Sequence, residues 1–381
     1  MLKLKQILED SKTSQADLAR AANVSTATVT QLARHGIWPK SIPRIELTNK
    51  IHAFLESHGL PVAGALDEVT PEKQPDAPEQ KEEEIMLLRK QTLSQAAKKH
   101  FAIFRDPFAE VRSSEEVYLS PDIRYVREAL LSTAKQGGFV AVVGESGSGK
   151  STLRRDLLER LRGQPVIVIQ PHVLAMEDND TKGKTLKSTH IAEAIMSAVA
   201  PLERPKSSPE ARFSQTAKAL SDSSRAGYSH VLIIEEAHSL PIATLKHLKR
   251  FHELEDGFKR PLGIILIGQP ELAQKLDERN PAVREVVQRC EMVTLNPLQE
   301  NLKPFIQARF KAAGVDLDNV MDEDAIEALR GKLTNSGNQR PGREAFSVLY
   351  PLAVQNVITA AMNAAAEFGV PRVTAELIKG V

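Results

Sequence analysis

Residues 144–151 read Gly144-Glu145-Ser146-Gly147-Ser148-Gly149-Lys150-Ser151, which satisfies G-x-x-x-x-G-K-[ST] at every fixed position. The chemistry this spacing suits is phosphate binding. Gly144, Gly147 and Gly149 let the backbone curl until its N–H groups point inward at phosphate oxygens. A helix expected over residues 152–161, opened by Thr152, adds its positive N-terminal end. Lys150 is expected to reach the β- and γ-phosphates of ATP, and Ser151 to ligate Mg2+. A second acidic element must hold that metal, and residues 231–236, VLIIEE, supply one. A strand ending in two carboxylates delivers them to the C-terminal edge of a sheet, where phosphates bind. Glu235 is expected to hold the Mg2+ shell and Glu236 to polarise the attacking water. The usual residue at the first position is Asp. Glu235 is one methylene longer, so its metal contact is expected through water.

These groups act together only if a sheet gathers them. From Phe139 onward, apolar runs alternate with amphipathic helices: FVAVVG, PVIVIQ, HVLIIEE and GIILIG. Continuous β-branched runs of this length suit parallel strands buried on both faces. With helices between them they predict an α/β fold, a doubly wound parallel sheet. The fourth run is followed by Gln269, which on its own reads as a turn residue. Beyond about residue 298 the strands cease. Helices are expected over 299–312, 322–332 and 344–368, with a short last one from Thr374. The expected organisation is an all-α unit over 1–60, a flexible linker over 61–84, the α/β domain with a lead-in helix over 85–298, and a helical lid over 299–381. The linker rests on PVAGALDEVTPEKQPDAPEQKEEE, rich in proline and carboxylates and too poor in large apolar residues to offset chain entropy.

Composition narrows the setting. The chain has 381 residues, of which 41% are apolar, enough for two or three domains with cores. Formal net charge is +1, so any nucleic-acid site must come from local patches. The single cysteine, Cys290, excludes a disulfide framework or a cysteine-type zinc site within one chain. The first residues lack the apolar core of a signal peptide, and no stretch approaches the roughly 18 apolar residues of a membrane helix. A soluble protein of the cytoplasm is expected.

Seven pieces occur in one order: Arg105-Asp106-Pro107-Phe108, GESGSGKST, IIEEAH, GQPEL, QRC, LNPL and GNQR. Over roughly residues 101–381 this order resembles the AAA+ ATPase family that includes transposition regulators of the phage Mu B and TnsC/TniB kinds and ExeA-type secretion ATPases. The resemblance implies an AAA+ P-loop sheet with a C-terminal helical lid, ATP hydrolysis, and assembly into a ring or filament. It implies that Gln269 touches the γ-phosphate and the attacking water. It further implies an arginine supplied in trans by a neighbouring subunit. Arg289, in QRC, matches that position best, with Arg284 as the alternative. A lid arginine that senses the γ-phosphate is expected too. Arg340 and Arg343 compete for it, and Arg340 is preferred, although proline follows Arg340 here where the family pattern has proline before the arginine.

Residues 14–32 resemble a helix-turn-helix of phage-repressor type. Ser14 suits an N-cap, Asn23 the turn, and Ser25 a second cap. Thr26, Thr28, Thr30, Gln31 and Arg34 are then expected to face a DNA groove. Few of these are the bidentate readers that give base specificity, so weak sequence preference is expected. Lys182, Lys184 and Lys187 form a further basic stretch, as do Lys246, His247, Lys249, Arg250 and His252, either of which could track a phosphate backbone or merely solvate a surface. The architecture resembles Mu B more than ExeA, whose relatives commonly carry a membrane span and a cell-wall-binding region. The function expected is therefore an ATPase that assembles on duplex DNA and presents it to a transposase, in the cytoplasm of a bacterial host. The alternatives are a secretion or assembly ATPase that binds a protein partner, and an ATP-switched transcriptional regulator.

Overall fold

A computed structural model describes residues 4, 7–8, 11, 14–35, 38–39, 42–62, 65, 90–171, 186–334 and 347–381, with Ala27, Arg34 and His35 described by backbone alone. The chain divides into two compact units, Met1–Glu79 and Gln80–Val381.

The first unit contains helices α1 (Gln15–Ala22), α2 (Thr26–His35) and α3 (Arg44–Ser57). Ser14 opens α1, its hydroxyl accepting the Ala16 N–H at 3.1 Å. Asn23 then adopts φ 56°, a left-handed conformation that Asn tolerates and that ends the helix. Two residues later the Ser25 hydroxyl accepts the Thr28 N–H at 3.1 Å and opens α2. The core joins Leu18, Ala19 and Ala22 of α1 to Val29 and Leu32 of α2 and Leu47, Ile51 and Leu55 of α3.

The second unit is built on a five-stranded parallel sheet. Its strands are β1 (Phe139–Val143), β2 (Val166–Ile169), β3 (Ser229–Ile234), β4 (Leu262–Gly268) and β5 (Glu291–Thr294), in the spatial order β2-β3-β4-β1-β5. Side chains alternate between faces, so Ala141, Leu232 and Leu266 meet one helical layer and Val142, Ile233 and Ile267 the other. Both layers are apolar, which is why the central strands read as unbroken apolar runs. Helices α5 (Pro121–Gln136) and α6 (Lys150–Leu161) cover one face. Helices α7 (Ser188–Val199), α8 (Pro209–Arg225), α9 (Ile242–His252) and α10 (Pro270–Lys275) cover the other. The fifth strand escapes the sequence reading for a physical reason. It is an edge strand in which only Val293 is buried, so it carries no apolar run.

Beyond a short helix, α11 (Arg284–Val287), and β5, the C-terminal part is helical: α12 (Leu302–Ala312), α13 (Glu323–Thr334), α14 (Pro351–Phe368) and α15 (Ala375–Gly380). Helix α14 starts later than the expected residue 344. Residues 347–350 are non-helical, and Tyr350 is extended because the following proline disfavours helical backbone before it. The lead-in behaves differently from expectation as well. Its described helix, α4 (Gln95–His100), begins only after Ser94 caps it. Its apolar residues Leu93, Ala97, Phe101, Ile103 and Phe108 join the core of the C-terminal helices, not that of the sheet. Asn356 and Asn363 of α14 fasten it by accepting the Gln91 and Ser94 N–H groups at 3.0 and 2.9 Å. Phe108 meets Phe310 of α12 edge to face, with centroids 5.8 Å apart.

Phe108→Ala should therefore cost about 3–5 kcal/mol, as for other buried phenylalanines. Hydrogen exchange should speed up across residues 91–103 while the β1 and β4 amides keep their protection.

Candidate nucleotide site

The loop between β1 and α6 is pinned at both ends. The Gly144 N–H donates to Gly268 O at 3.2 Å, tying the loop to the end of β4. Gly149 takes φ 102° to start α6, a conformation open to glycine at little cost. Between them, the Gly147 carbonyl accepts the Leu352 N–H from the first turn of α14 at 3.2 Å. A Cβ on Gly147 would lie 2.5 Å from the Leu352 Cβ, so the motif's middle glycine is required by the helix seated on it. Lys150 Nζ donates to Gly144 O at 2.6 Å and Glu145 O at 2.8 Å. Burial lowers the pKa of that ammonium, and the charges of Glu236, Glu145 and Glu271 oppose the shift. The Ser148 hydroxyl is buried with no hydrogen-bond partner, an orphaned group that a phosphate or ribose oxygen would satisfy. Ser146 and Ser151 are exposed and Thr152 is half-buried.

The carboxylates of the VLIIEE segment stand at the same edge. Glu235 lies against Arg154, with Nε 3.1 Å from Oε2. The two approach off the N–H axis, since Arg154 Nε makes no hydrogen bond, so the contact is an ion pair only. Arg154 sits one helical turn beyond Ser151, and sequence reasoning missed it because the pairing is made across the fold. Glu236 has φ 48°, ψ 34°, a left-handed conformation uncommon outside glycine. Its carboxylate is 3.5 Å from His238 Nδ1. That same Nδ1 accepts the Gln269 N–H at 3.4 Å, so the proton of the neutral ring belongs on Nε2. His238 Nδ1 thus takes the Gln269 N–H and has no proton to give Glu236, whose carboxylate lies beside the ring without a hydrogen bond to it.

A cavity of about 330 Å³ adjoins the loop, at the small end of the range of ligand sites. It is lined by Ser148, Ser151 and Thr152, by Val111 and Val117, and by Leu352 and Gln355 of α14. Its position beside the phosphate loop and its mixed lining fit a nucleobase with its ribose. The sequence reading singled out Phe108 and the LNPL segment, which line the cavity, but not Val111, Val117, Leu352 or Gln355. The segment that supplies Val111 and Val117 is held in place by Arg105, which donates twice to Glu116 at 2.7 Å. Those bonds and the Arg112 N–H hold the Glu116 carboxyl down at about 2.

Residues 133–276 match the family model described as AAA domain. The α/β unit has the parallel-sheet, P-loop fold of an AAA+ domain. Over 182 residues the chain is 29% identical to General secretion pathway protein A of Aeromonas hydrophila, covering 47% of this chain and 30% of that protein. The chain therefore spans under a third of that relative's length. Among solved structures, the Aeropyrum pernix ORC2 protein aligns at 16% identity over 72% of this chain and 70% of that one, TM-score 0.45. The Pyrobaculum aerophilum Cdc6p aligns at 15% over 72% and 68%, TM-score 0.44.

In the same unit Arg289 lies far from its own P-loop. Strand β5 begins at Glu291 opposite Val140, the second residue of β1, whereas the loop follows Val143, the last. At about 3.3 Å per residue the separation is on the order of 15 Å, beyond one arginine's reach. Arg284 is exposed at the start of α11. Arg340 and Arg343 fall outside the described residues, as do Lys182 and Lys184. Lys187 is exposed at the N-terminus of α7. On α2, Thr26 and Gln31 are exposed. The Thr28 hydroxyl is 2.8 Å from that of Ser25, and the Thr30 hydroxyl donates to Gln15 Oε1 and Thr26 O at 2.9 Å. Both threonines are thus committed within their own unit, and Arg34 is placed on α2 by its backbone. On α9, Lys249 is paired and His252 is buried, leaving Lys246 and Arg250 as its exposed cations.

Arg154 competes with any cation for Glu235. A partly exposed ion pair contributes at most about 1 kcal/mol, a factor of about five. Arg154→Met should lower the Mg2+ concentration needed for half-maximal binding of a fluorescent ATP analogue by about two- to five-fold, and unchanged Mg2+ dependence would count against this placement of the metal.

Proposed function

We propose that this AAA+ ATPase binds ATP with Mg2+ at the site described, assembles with further copies of itself, and loads onto duplex DNA with little sequence preference to present it to a transposase. Ser151 and Glu235 would hold the metal, Lys150 the phosphates, and Glu236 and Gln269 the attacking water. Arg289, too distant for its own site, would serve the site of the next subunit, and Arg340 would read the γ-phosphate from the lid. ATP between subunits would hold the assembly together and hydrolysis would release it.

The observation that carries the DNA reading is the α1–α2 pair. Two short helices, each capped by serine and joined through left-handed Asn23, have the local geometry of a helix-turn-helix. The exposed face of α2 offers Thr26 and Gln31, with Arg34 on the same helix. Such a set supplies phosphate and sugar contacts more readily than a base code. Lys246 and Arg250 of α9 add cations that lie within ion-pair distance of no carboxylate among the described residues. A second reading, an ATPase that drives protein assembly, is favoured by the similarity to a general secretion pathway protein.

Turnover measured with and without random-sequence duplex separates the two. The DNA reading expects stimulation by any duplex, lost as salt rises, with Lys150→Ala abolishing turnover throughout. Turnover indifferent to DNA at every salt concentration would remove the DNA reading and favour a protein partner.

A further inference from the structure

The last turn of α9 and the end of α11 share a compact charge cluster that the ATPase chemistry does not itself use. Arg289 Nε lies 2.8 Å from Glu253 Oε1. Its Nη1 donates to the Glu285 carbonyl at 3.0 Å. Lys249 stands on the other side, with Nζ 3.6 Å from the same Glu253 oxygen and ion-paired to the Glu285 carboxylate. Two cations and two carboxylates therefore balance. Beneath them, buried His252 accepts from Arg260 Nη1 at 3.1 Å through Nε2, which requires a neutral ring. Burial, then the charges of Arg260 and Arg289, push its pKa down to about 4, so it adds no charge to the cluster.

This arrangement does something particular to Arg289. A flexible arginine loses much rotamer freedom when it docks against an anion. Here Nη1 is held by a hydrogen bond and Nε by an ion pair, and Nη2 has no hydrogen-bond partner among the described residues. The side chain is one-third exposed, with its free end available to a neighbour. Lys249 keeps the Glu253 carboxylate from being drawn away with the arginine.

We propose that Glu253 is a positioning residue for Arg289: it orients the guanidinium, ahead of assembly, for insertion into the adjacent subunit's phosphate site. The proposal rests on the reading that Arg289 acts in trans. Glu253 touches no nucleotide in its own chain, being at the opposite edge of the sheet. Its loss should lower kcat and leave KM for ATP and the affinity for nucleotide in place. Glu253→Ala should lower turnover roughly two- to five-fold, the scale of one partly exposed ion pair. Arg289 Nε and Glu253 are ion-paired with no hydrogen bond between them, so Glu253→Gln, which removes the charge, should lose about as much as Glu253→Ala, whereas Glu253→Asp, which keeps it, should recover part of the loss.

The test uses mixed full-length chains. Glu236→Gln donates an intact Arg289 but is expected not to hydrolyse; Arg289→Ala has an intact P-loop but no arginine. Each alone should be nearly inactive, and mixing them should restore turnover. If mixing restores nothing while both variants assemble with ATP, Arg289 does not act in trans and the underlying reading fails. If mixing succeeds, Glu253→Ala is added first to the donor chain and then to the acceptor. The proposal expects a several-fold loss only when Glu253→Ala is in the donor, and no further loss when it is combined with Arg289→Ala. Equal turnover with and without Glu253 in the donor overturns the positioning role and leaves the trans arginine standing. A loss from the acceptor chain also overturns it, because that outcome marks a general structural effect.

Discussion

The contact between Gly147 and Leu352 is the constraint on which the rest of the site depends. The phosphate loop gives up a side chain at its middle glycine so that the first turn of α14 can sit on it, and its carbonyl takes that turn's amide. The C-terminal helices are thereby joined to the loop without an intermediary. They are joined on the other side to the lead-in, through Asn356, Asn363 and the Phe108–Phe310 pair. The cavity walls therefore rest on α14 and on the helices packed against it. A ligand that shifts the loop has a direct route to the lid, because a packed contact of this closeness cannot yield by small degrees.

A second theme is that the charged groups proposed for the chemistry carry internal partners. Lys150 lies on two carbonyls of its own loop, Glu235 faces Arg154, and Arg289 faces Glu253. Each pairing keeps a charged group oriented, and the two ion pairs of Arg154 and Arg289 are partly exposed and so weak enough to be exchanged for a phosphate or a metal. Glu236 is the exception. Its backbone is held left-handed and its carboxylate stands near, not on, His238, which suits a group that must act on a water molecule.

The sequence made the α/β part legible because its chemistry is local. Strand, loop and helix around Lys150 are contiguous, and the buried strands announce themselves by apolar runs on both faces of one sheet. The same reasoning failed where burial is one-sided or partners are remote. Strand β5 shows a single buried residue, Val293. The partner of the lead-in is remote: the hydrogen bond from Gln91 to Asn356 spans 265 residues, which no sequence spacing reveals. The cavity walls and the ion pairs of Arg154 and Arg289 are products of tertiary contact, which no periodicity encodes. On α2 the hydroxyls of Thr28 and Thr30, both expected to face a groove, found partners within their own unit.

The central claim is that nucleotide at the phosphate loop is felt at once by α14. Hydrogen exchange at the Leu352 amide, which donates to Gly147, tests it most directly when measured with and without a non-hydrolysable ATP analogue and Mg2+. The account predicts a clear change in its exchange rate, shared by the first turn of α14 and the Phe108–Val117 segment, and absent in Lys150→Ala. An analogue that binds while the Leu352 amide exchanges unchanged would contradict it.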